Sequence, residues 1–273
     1  LTVHRNPDQV KRLVRRLTHP RVDIYLHVDR RIDPAPYATA GATIHPDPTP
    51  VVWGSWDLVE ATQRLLEFAR QRGRYSHFTH LSGQDYPLLP IDRIVEAIGS
   101  SQGQILDMQW SKQDRSHRWA PYSVTTSDPV AHFLQRLYMR YLRYVLRRRS
   151  RPLPEGLSFA CGSALWTLTD QAVDWIFRFV RTRPDVPRFF RNTLNTSEMF
   201  YQILLQASPF RDQLGEHRHY IDWNAGLSHP KTLGVEDFPA LAASHQWFAR
   251  KFDTTVDEQI LDRIDAEMLR VAT

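Results

Sequence analysis

Leu1-Thr2-Val3-His4-Arg5-Asn6-Pro7 opens the chain, and Ile24-Tyr25-Leu26-His27-Val28-Asp29 closes its first structural unit. Leu1-Thr2-Val3-His4 reads as a strand end. Asn6-Pro7 then opens a helix, because proline suits the first helical turn, and Val10, Leu13, Val14 and Leu17 recur at helical spacing. Ile24, Leu26 and Val28 alternate as in a strand that stops at Asp29. The same alternation continues outward. Ala42–Ile44 is a short strand and Val51-Val52-Trp53 another, followed by a helix with Asp57 as N-cap, Glu60 in the capping-box position and Leu58, Leu65, Leu66 and Ala69 facing inward. Phe78–Leu81, Ile105–Met108 and Ala164–Leu168 read as strands. Thr169 caps a helix carrying Val173, Ile176, Phe177 and Val180, and Glu198–Leu205 is helical. Alternation of this kind predicts an α/β fold, a mainly parallel sheet flanked by helices. No repeat or composition break divides the 273 residues, so the expectation is a single domain over 1–273.

Hydrophobic residues make up 42% and charged residues 24%, the balance of a soluble globular chain with a full core. No apolar run approaches the roughly 18 residues of a membrane span. Cys161 is the single cysteine, which excludes an intramolecular disulfide and fits a reducing, cytoplasmic compartment. A formal charge of +5 points to an anionic partner. The chain starts at Leu1, already inside a strand, and reads as part of a longer one.

Phe133 to Arg151 stands apart. Phe133, Leu134, Leu137, Tyr138, Tyr141, Leu142, Val145 and Leu146 make one helical stripe; Arg136, Arg140, Arg143 and Arg147 make the other. Such a helix packs on a core with solvated arginines, lies on an anionic membrane surface, or contacts nucleic acid.

Near the other end, Phe248-Ala249-Arg250-Lys251-Phe252-Asp253 reads as a strand end whose aromatic residues face a core. Its adjacent cations are unfavourable together unless water or an anion compensates, and a diphosphate compensates well. Asp29 and Trp53 end strands, where ligands gather in parallel α/β sheets. A carboxylate there is equally a turn former, and a tryptophan equally a core residue. Asp85, in the turn before Pro87, suits hydroxyl recognition or plain turn formation. Glu198 is the candidate base, set beside Met199, Phe200 and Tyr201; the competing account is a helix N-terminus capped by Thr196 or Ser197. There is no Asp-X-Asp, no His-Glu-X-X-His and no third ligand beside His217 and His219, so no metal site is expected. The phosphate cradles of nucleotide hydrolases and dinucleotide enzymes are absent as well.

Taken in order, His4-Arg5-Asn6-Pro7, His27-Val28-Asp29, Trp53-Gly54, Leu81-Ser82-Gly83-Gln84-Asp85-Tyr86-Pro87, Gly162-Ser163, Ser197-Glu198-Met199-Phe200 and Phe248-Ala249-Arg250-Lys251-Phe252-Asp253 resemble the core-2/I-branching β-1,6-N-acetylglucosaminyltransferase and peptide O-xylosyltransferase family, from about residue 3 to 253. The resemblance implies a GT-A-like, Rossmann-like fold and an inverting transferase that uses a UDP-sugar of the GlcNAc or xylose type, without metal or other cofactor. By that likeness Glu198 is the general base, Arg250 and Lys251 contact the diphosphate, and Asp29 reads uracil. Val3 and Trp53 line the donor pocket, Lys231 adds a phosphate-side cation, and Trp223 lies on the acceptor side, where the hydroxyl-reading role of Asp85 would also place it. Ala160-Cys161 stand where the xylosyltransferases carry an acidic residue and a glycine. With the low cysteine content, this looks more like a bacterial branch acting on a glycan, lipid-linked or protein acceptor. The expected location is the cytoplasm, peripheral at the inner face of the membrane. Two other classes stay in view: a nucleic-acid-binding protein using residues 133–151, and a glycoside hydrolase using Asp85 and Glu198.

Overall fold

The computed structural model describes residues 1–101, 103–108, 137, 141, 151–223 and 229–269. In chain order these form β1 (Thr2–Val3), α1 (Pro7–Leu17), β2 (Ile24–Val28), β3 (Ala42–Ile44), α2 (Asp57–Arg70), β4 (His77–His80), β5 (Asp85–Pro87), α3 (Ile91–Ser100) and β6 (Gln104–Leu106). After residue 150 follow β7 (Trp166–Thr169), α4 (Asp170–Thr182), α5 (Asp185–Phe190), α6 (Phe200–Gln206), β8 (Leu214–Gly215), β9 (His219–Ile221), α7 (Phe238–Ala243), β10 (Phe248–Arg250) and α8 (Gln259–Glu267). The architecture is mixed α/β. Two compact units are built from interleaved segments: Leu1–Pro48, His80–Gln102 and His217–Thr273 make the first, Thr49–Thr79 and Gly103–Glu216 the second.

In the first unit β1, β2 and β3 run parallel, with Val3 opposite Val28 and Leu26 opposite Ile44. On the other side of β1, Thr2 donates to the Leu81 carbonyl and accepts from Gly83. Gly83 leaves little room for a side chain. A Cβ there would stand 2.9 Å from Val10 and 3.2 Å from Val3. A second sheet sets β10 between β9, parallel, and β5, antiparallel. The helical stripe expected of α1 is real: Val10, Leu13, Val14 and Leu17 enter one core with Leu26, Val28, Tyr86, Phe248, Phe252, Ile260 and Ile264. Each such side chain stabilises the fold by about 1.5–3 kcal/mol. At the edge of that core Arg12 ties α1 to α8 through Asp265 (2.8 Å) and Asp262 (2.7 Å), and Tyr86 donates to the same Asp265 at 2.8 Å.

The second unit carries the sheet β4-β7-β6-β8, in which β6 is antiparallel to β7 and parallel to β8. Thr169 caps α4 as expected, its hydroxyl accepting from the Ala172 N–H. Two local expectations fail. Val51–Trp53 is a loop, because Ser55 folds its hydroxyl onto the Val52 carbonyl (2.7 Å) and Asp57 turns its carboxylate back to the Val52 N–H (3.0 Å) instead of capping α2. Glu198–Leu205 is not one helix: a 3₁₀ turn, Thr196–Glu198, breaks at Met199 before α6 begins. The arginine-rich stretch Phe133–Arg151 lies outside the described residues apart from Leu137, Tyr141 and Arg151. Among the described residues no helix is long and apolar enough to cross a membrane.

Candidate functional site

Parallel pairing of β1 with β2 brings their carboxyl ends to one edge of the first unit. Val3 and Asp29 meet there, the Asp29 N–H donating to the Val3 carbonyl at 3.1 Å. Val3 is buried. Asp29, its side chain 4% exposed, is forked by Arg31: Nε reaches Oδ1 at 2.9 Å and Nη2 reaches Oδ2 at 2.7 Å. Side-on guanidinium–carboxylate pairing of this kind fixes the plane of the carboxylate as well as its charge.

β10 supplies the second element. Phe248 and Ala249 are buried in the core, as is Phe252, while Arg250 and Lys251 between them are half-buried. Antiparallel register sets Arg250 against Asp85, and Arg250 Nε lies 3.7 Å from Asp85 Oδ1. The other oxygen of Asp85 accepts the Ser82 N–H at 2.5 Å. Burial pushes the Asp85 carboxyl up, with Arg250 and Ser82 pulling it back. Asp85 is fully buried, and the charged group it meets is Arg250.

Positive charge is dense around Lys251. Burial, and then the charges of Arg5 and Arg250, push its ammonium below the ordinary lysine range. His4 is lowered by burial and by Arg5, with Asp29 opposing and Lys251 and Arg31 adding to the shift. His4 thus feels both the Asp29–Arg31 pair and the end of β10. Asp253 supplies negative charge: although burial works against it, hydrogen bonds from Thr255 and Asn6 and the charge of Arg5 hold its carboxyl below the usual range. Lys231 is placed less favourably for a phosphate, since Asp237 (2.7 Å) and Glu236 (3.3 Å) already hold its ammonium. Trp223 is 54% exposed.

Glu198 and Trp53 belong to the second unit. Glu198, half-buried, ends the 3₁₀ turn, and its carbonyl accepts the Gly162 N–H at 2.9 Å. Gly162 is wedged so tightly that a Cβ would collide with the Asp107 carbonyl. Ser163 next to it donates its N–H to Asp107 Oδ2 (3.0 Å) and receives Gln202 Nε2 on its carbonyl (2.7 Å). Behind Glu198, Phe200 packs edge-on against Trp56 and Phe190 at 5.1 and 5.4 Å. The capping account of this turn does not hold for Thr196, whose hydroxyl donates to the Ser55 carbonyl at 2.7 Å. That bond and another, Asn195 N–H to the Gly54 carbonyl at 2.7 Å, fasten the Trp53 loop to the Glu198 turn. Gly54 sits at φ +76°, and a side chain there would meet Asn195 Oδ1 at 2.9 Å. Trp53 is 74% exposed, a tryptophan displayed rather than packed.

Sequence reasoning passed over Arg5, Arg31 and Asp107. The signal for the first two was their place just past strand ends; Asp107 follows β6 in the same way. Among the described residues no group of three or more His, Cys, Asp or Glu is placed to hold a metal ion.

A carboxylate and a cation cluster at the strand ends of an α/β fold stand where such sheets gather ligands, with the charge to hold an anionic one. The chain belongs to the Core-2/I-Branching enzyme family, whose profile matches residues 1–242. Its relatives include the β-glucuronosyltransferase GlcAT14B of Arabidopsis thaliana, 27% identical over 73% of this chain and 45% of that protein. Human xylosyltransferase 1 is 25% identical over 97% of this chain and 29% of its own length. Rat xylosyltransferase 2 is 24% identical over 97% of this chain and 33% of its own. The chain spans less than half the length of each of these glycosyltransferases.

Proposed function

We propose that this protein transfers a sugar of the GlcNAc or xylose type from a UDP-sugar to a hydroxyl of a glycan, lipid-linked or protein acceptor, with inversion and without a metal ion. The observation that carries the reading is the gathering of Arg250, Lys251 and Arg5 near the end of β10, on the unit whose β1 and β2 ends hold Val3 and Asp29. Like charges so arranged call for an anion, and a nucleoside diphosphate supplies one together with an imide N–H for a carboxylate such as Asp29.

In this account Glu198 takes the proton of the acceptor hydroxyl. That oxygen bonds to the anomeric carbon as the carbon–oxygen bond to the diphosphate breaks on the opposite face, which inverts the centre. Negative charge growing on the departing diphosphate is stabilised by Arg250 and Lys251, the work that Asp-X-Asp enzymes give to a divalent cation. Asp85 holds Arg250 in place rather than reading a hydroxyl. Trp53 and Trp223 offer exposed aromatic faces for base or sugar stacking. The arginine stripe of 133–151 adds peripheral attachment to the anionic inner face of a membrane.

A thermal-shift panel of UDP, UDP-sugars and other nucleotides tests the reading. A ligand at 100 times its dissociation constant adds about 2.7 kcal/mol of apparent stability. UDP and UDP-sugars should shift the transition more than adenine nucleotides do; equal or absent shifts would refute the donor assignment.

A further inference from the structure

We propose that Arg5 is a further cation of the diphosphate seat, parked against Asp253 in the unliganded protein and transferred to a phosphate oxygen when the donor binds. The proposal rests on the UDP-sugar reading above and assigns a residue which that reading does not require.

Arg5 lies two residues past the end of β1, its side chain 38% exposed. Its Nη2 stands 3.4 Å from Asp253 Oδ2, well beyond the roughly 2.7–2.9 Å of a charge-assisted hydrogen bond. Asp253 has further partners, on its second oxygen. Its Oδ1 receives Asn6 Nδ2 at 2.7 Å, the Thr255 hydroxyl at 2.7 Å and the Thr255 N–H at 3.2 Å. Meanwhile Arg5 Nε is buried with no hydrogen-bond partner among the described residues. A buried guanidinium N–H left unbonded is costly, so the group has free energy to gain from an arriving oxygen acceptor.

Arg5 is also the foremost neighbouring charge on both His4 and Lys251, so its own charge is felt at the end of β10. Asp253 only partly offsets this crowding. A planar fork with one loose ion pair, one unused buried donor and a cationic neighbour is suited to seize a phosphate oxygen beside Lys251.

Titration calorimetry with inorganic pyrophosphate and, separately, UDP tests this on wild type, Arg5→Ala, Arg5→Lys and Lys251→Ala. Uridine, which has no phosphate, serves as the control. Arg5→Ala should weaken pyrophosphate and UDP by roughly 10-fold or more and leave uridine binding unchanged, with Arg5→Lys in between because it restores the charge without the fork. The melting temperature of unliganded Arg5→Ala should stay close to wild type, since the ion pair it removes is long and partly exposed. If Lys251→Ala weakens pyrophosphate while Arg5→Ala and Arg5→Lys bind it as wild type does, the Arg5 assignment is wrong and the diphosphate reading stands. If wild type binds neither pyrophosphate nor UDP, both fall together.

Discussion

Asp85 and Arg250 face each other across the antiparallel pair β5–β10, Oδ1 to Nε at 3.7 Å, with the carboxylate fully buried and the guanidinium half-buried. The separation is an ion pair and not a hydrogen bond; neither of those two atoms has a hydrogen-bond partner among the described residues. Arg250 is therefore held by charge and by strand register, and its remaining N–H groups are not committed to Asp85.

Removing that carboxylate leaves a half-buried cation uncompensated and a Ser82 N–H without its acceptor. Asp85→Ala should lower unfolding stability by about 3 kcal/mol in urea, and Asp85→Asn by less, because the amide oxygen still receives Ser82. A change under about 0.5 kcal/mol, the scale of an ordinary surface substitution, would show that Asp85 does not buttress Arg250.

Glu198→Gln keeps the shape of the side chain and removes its basicity. Transfer should fall by roughly 10²-fold or more with UDP affinity little changed. Near wild-type turnover in that variant would reduce Glu198 to a turn residue.

Gly162 tests whether the Glu198 turn needs its close support. Gly162→Ala forces a Cβ into the Asp107 carbonyl and pushes the N–H away from the Glu198 carbonyl. Overpacking of this kind should cost about 1–3 kcal/mol, visible as a lower denaturant midpoint, and kcat should drop more than KM rises. Stability and kcat both at wild-type level would mean the turn adapts freely.

Acid should weaken the fold through its buried histidines as well as through its carboxylates. Burial pushes His27 from the ordinary 6.5 down to about 4, and His4 and His219 shift in the same direction. Between those values the unfolded chain binds a proton that folded His27 refuses. Its contribution is intact above pH 6.5 and is lost as pH falls toward 4, on the order of 3 kcal/mol in all. Urea midpoints measured across that window should decline, and His27→Gln should flatten the decline. A wild-type midpoint that does not move between pH 7 and pH 4.5 contradicts the assignment.

Much of this was legible in the residues. The α1 stripe, the Thr169 cap and the core-facing aromatics at either end of Phe248–Phe252 follow from local spacing and end chemistry, and all three occur. Where the reading failed, side-chain partners decided. Val51–Trp53 has strand composition, but Ser55 and Asp57 turn back onto Val52 and hold it as a loop, and the Gly54 and Ser55 carbonyls beside it serve Asn195 and Thr196, far away in sequence. The helix expected from Glu198 is interrupted at Met199, where the backbone leaves the helical region. Nothing in the turn around Asp85 reveals that β10 will pair across it. Arg5 and Arg31 went unmarked because a cation past a strand end gains meaning only once the strands that share its edge are known.

Cations doing the work of a metal are the centre of the proposed mechanism. Sugar transfer from a UDP-sugar, assayed in excess EDTA on wild type and Lys251→Ala, measures it directly. Wild type should keep its activity in EDTA, and Lys251→Ala should lose UDP affinity by about 1.5–3 kcal/mol, the scale of a hydrogen bond to a charged group. Wild-type activity that vanishes in EDTA and returns with manganese would contradict it.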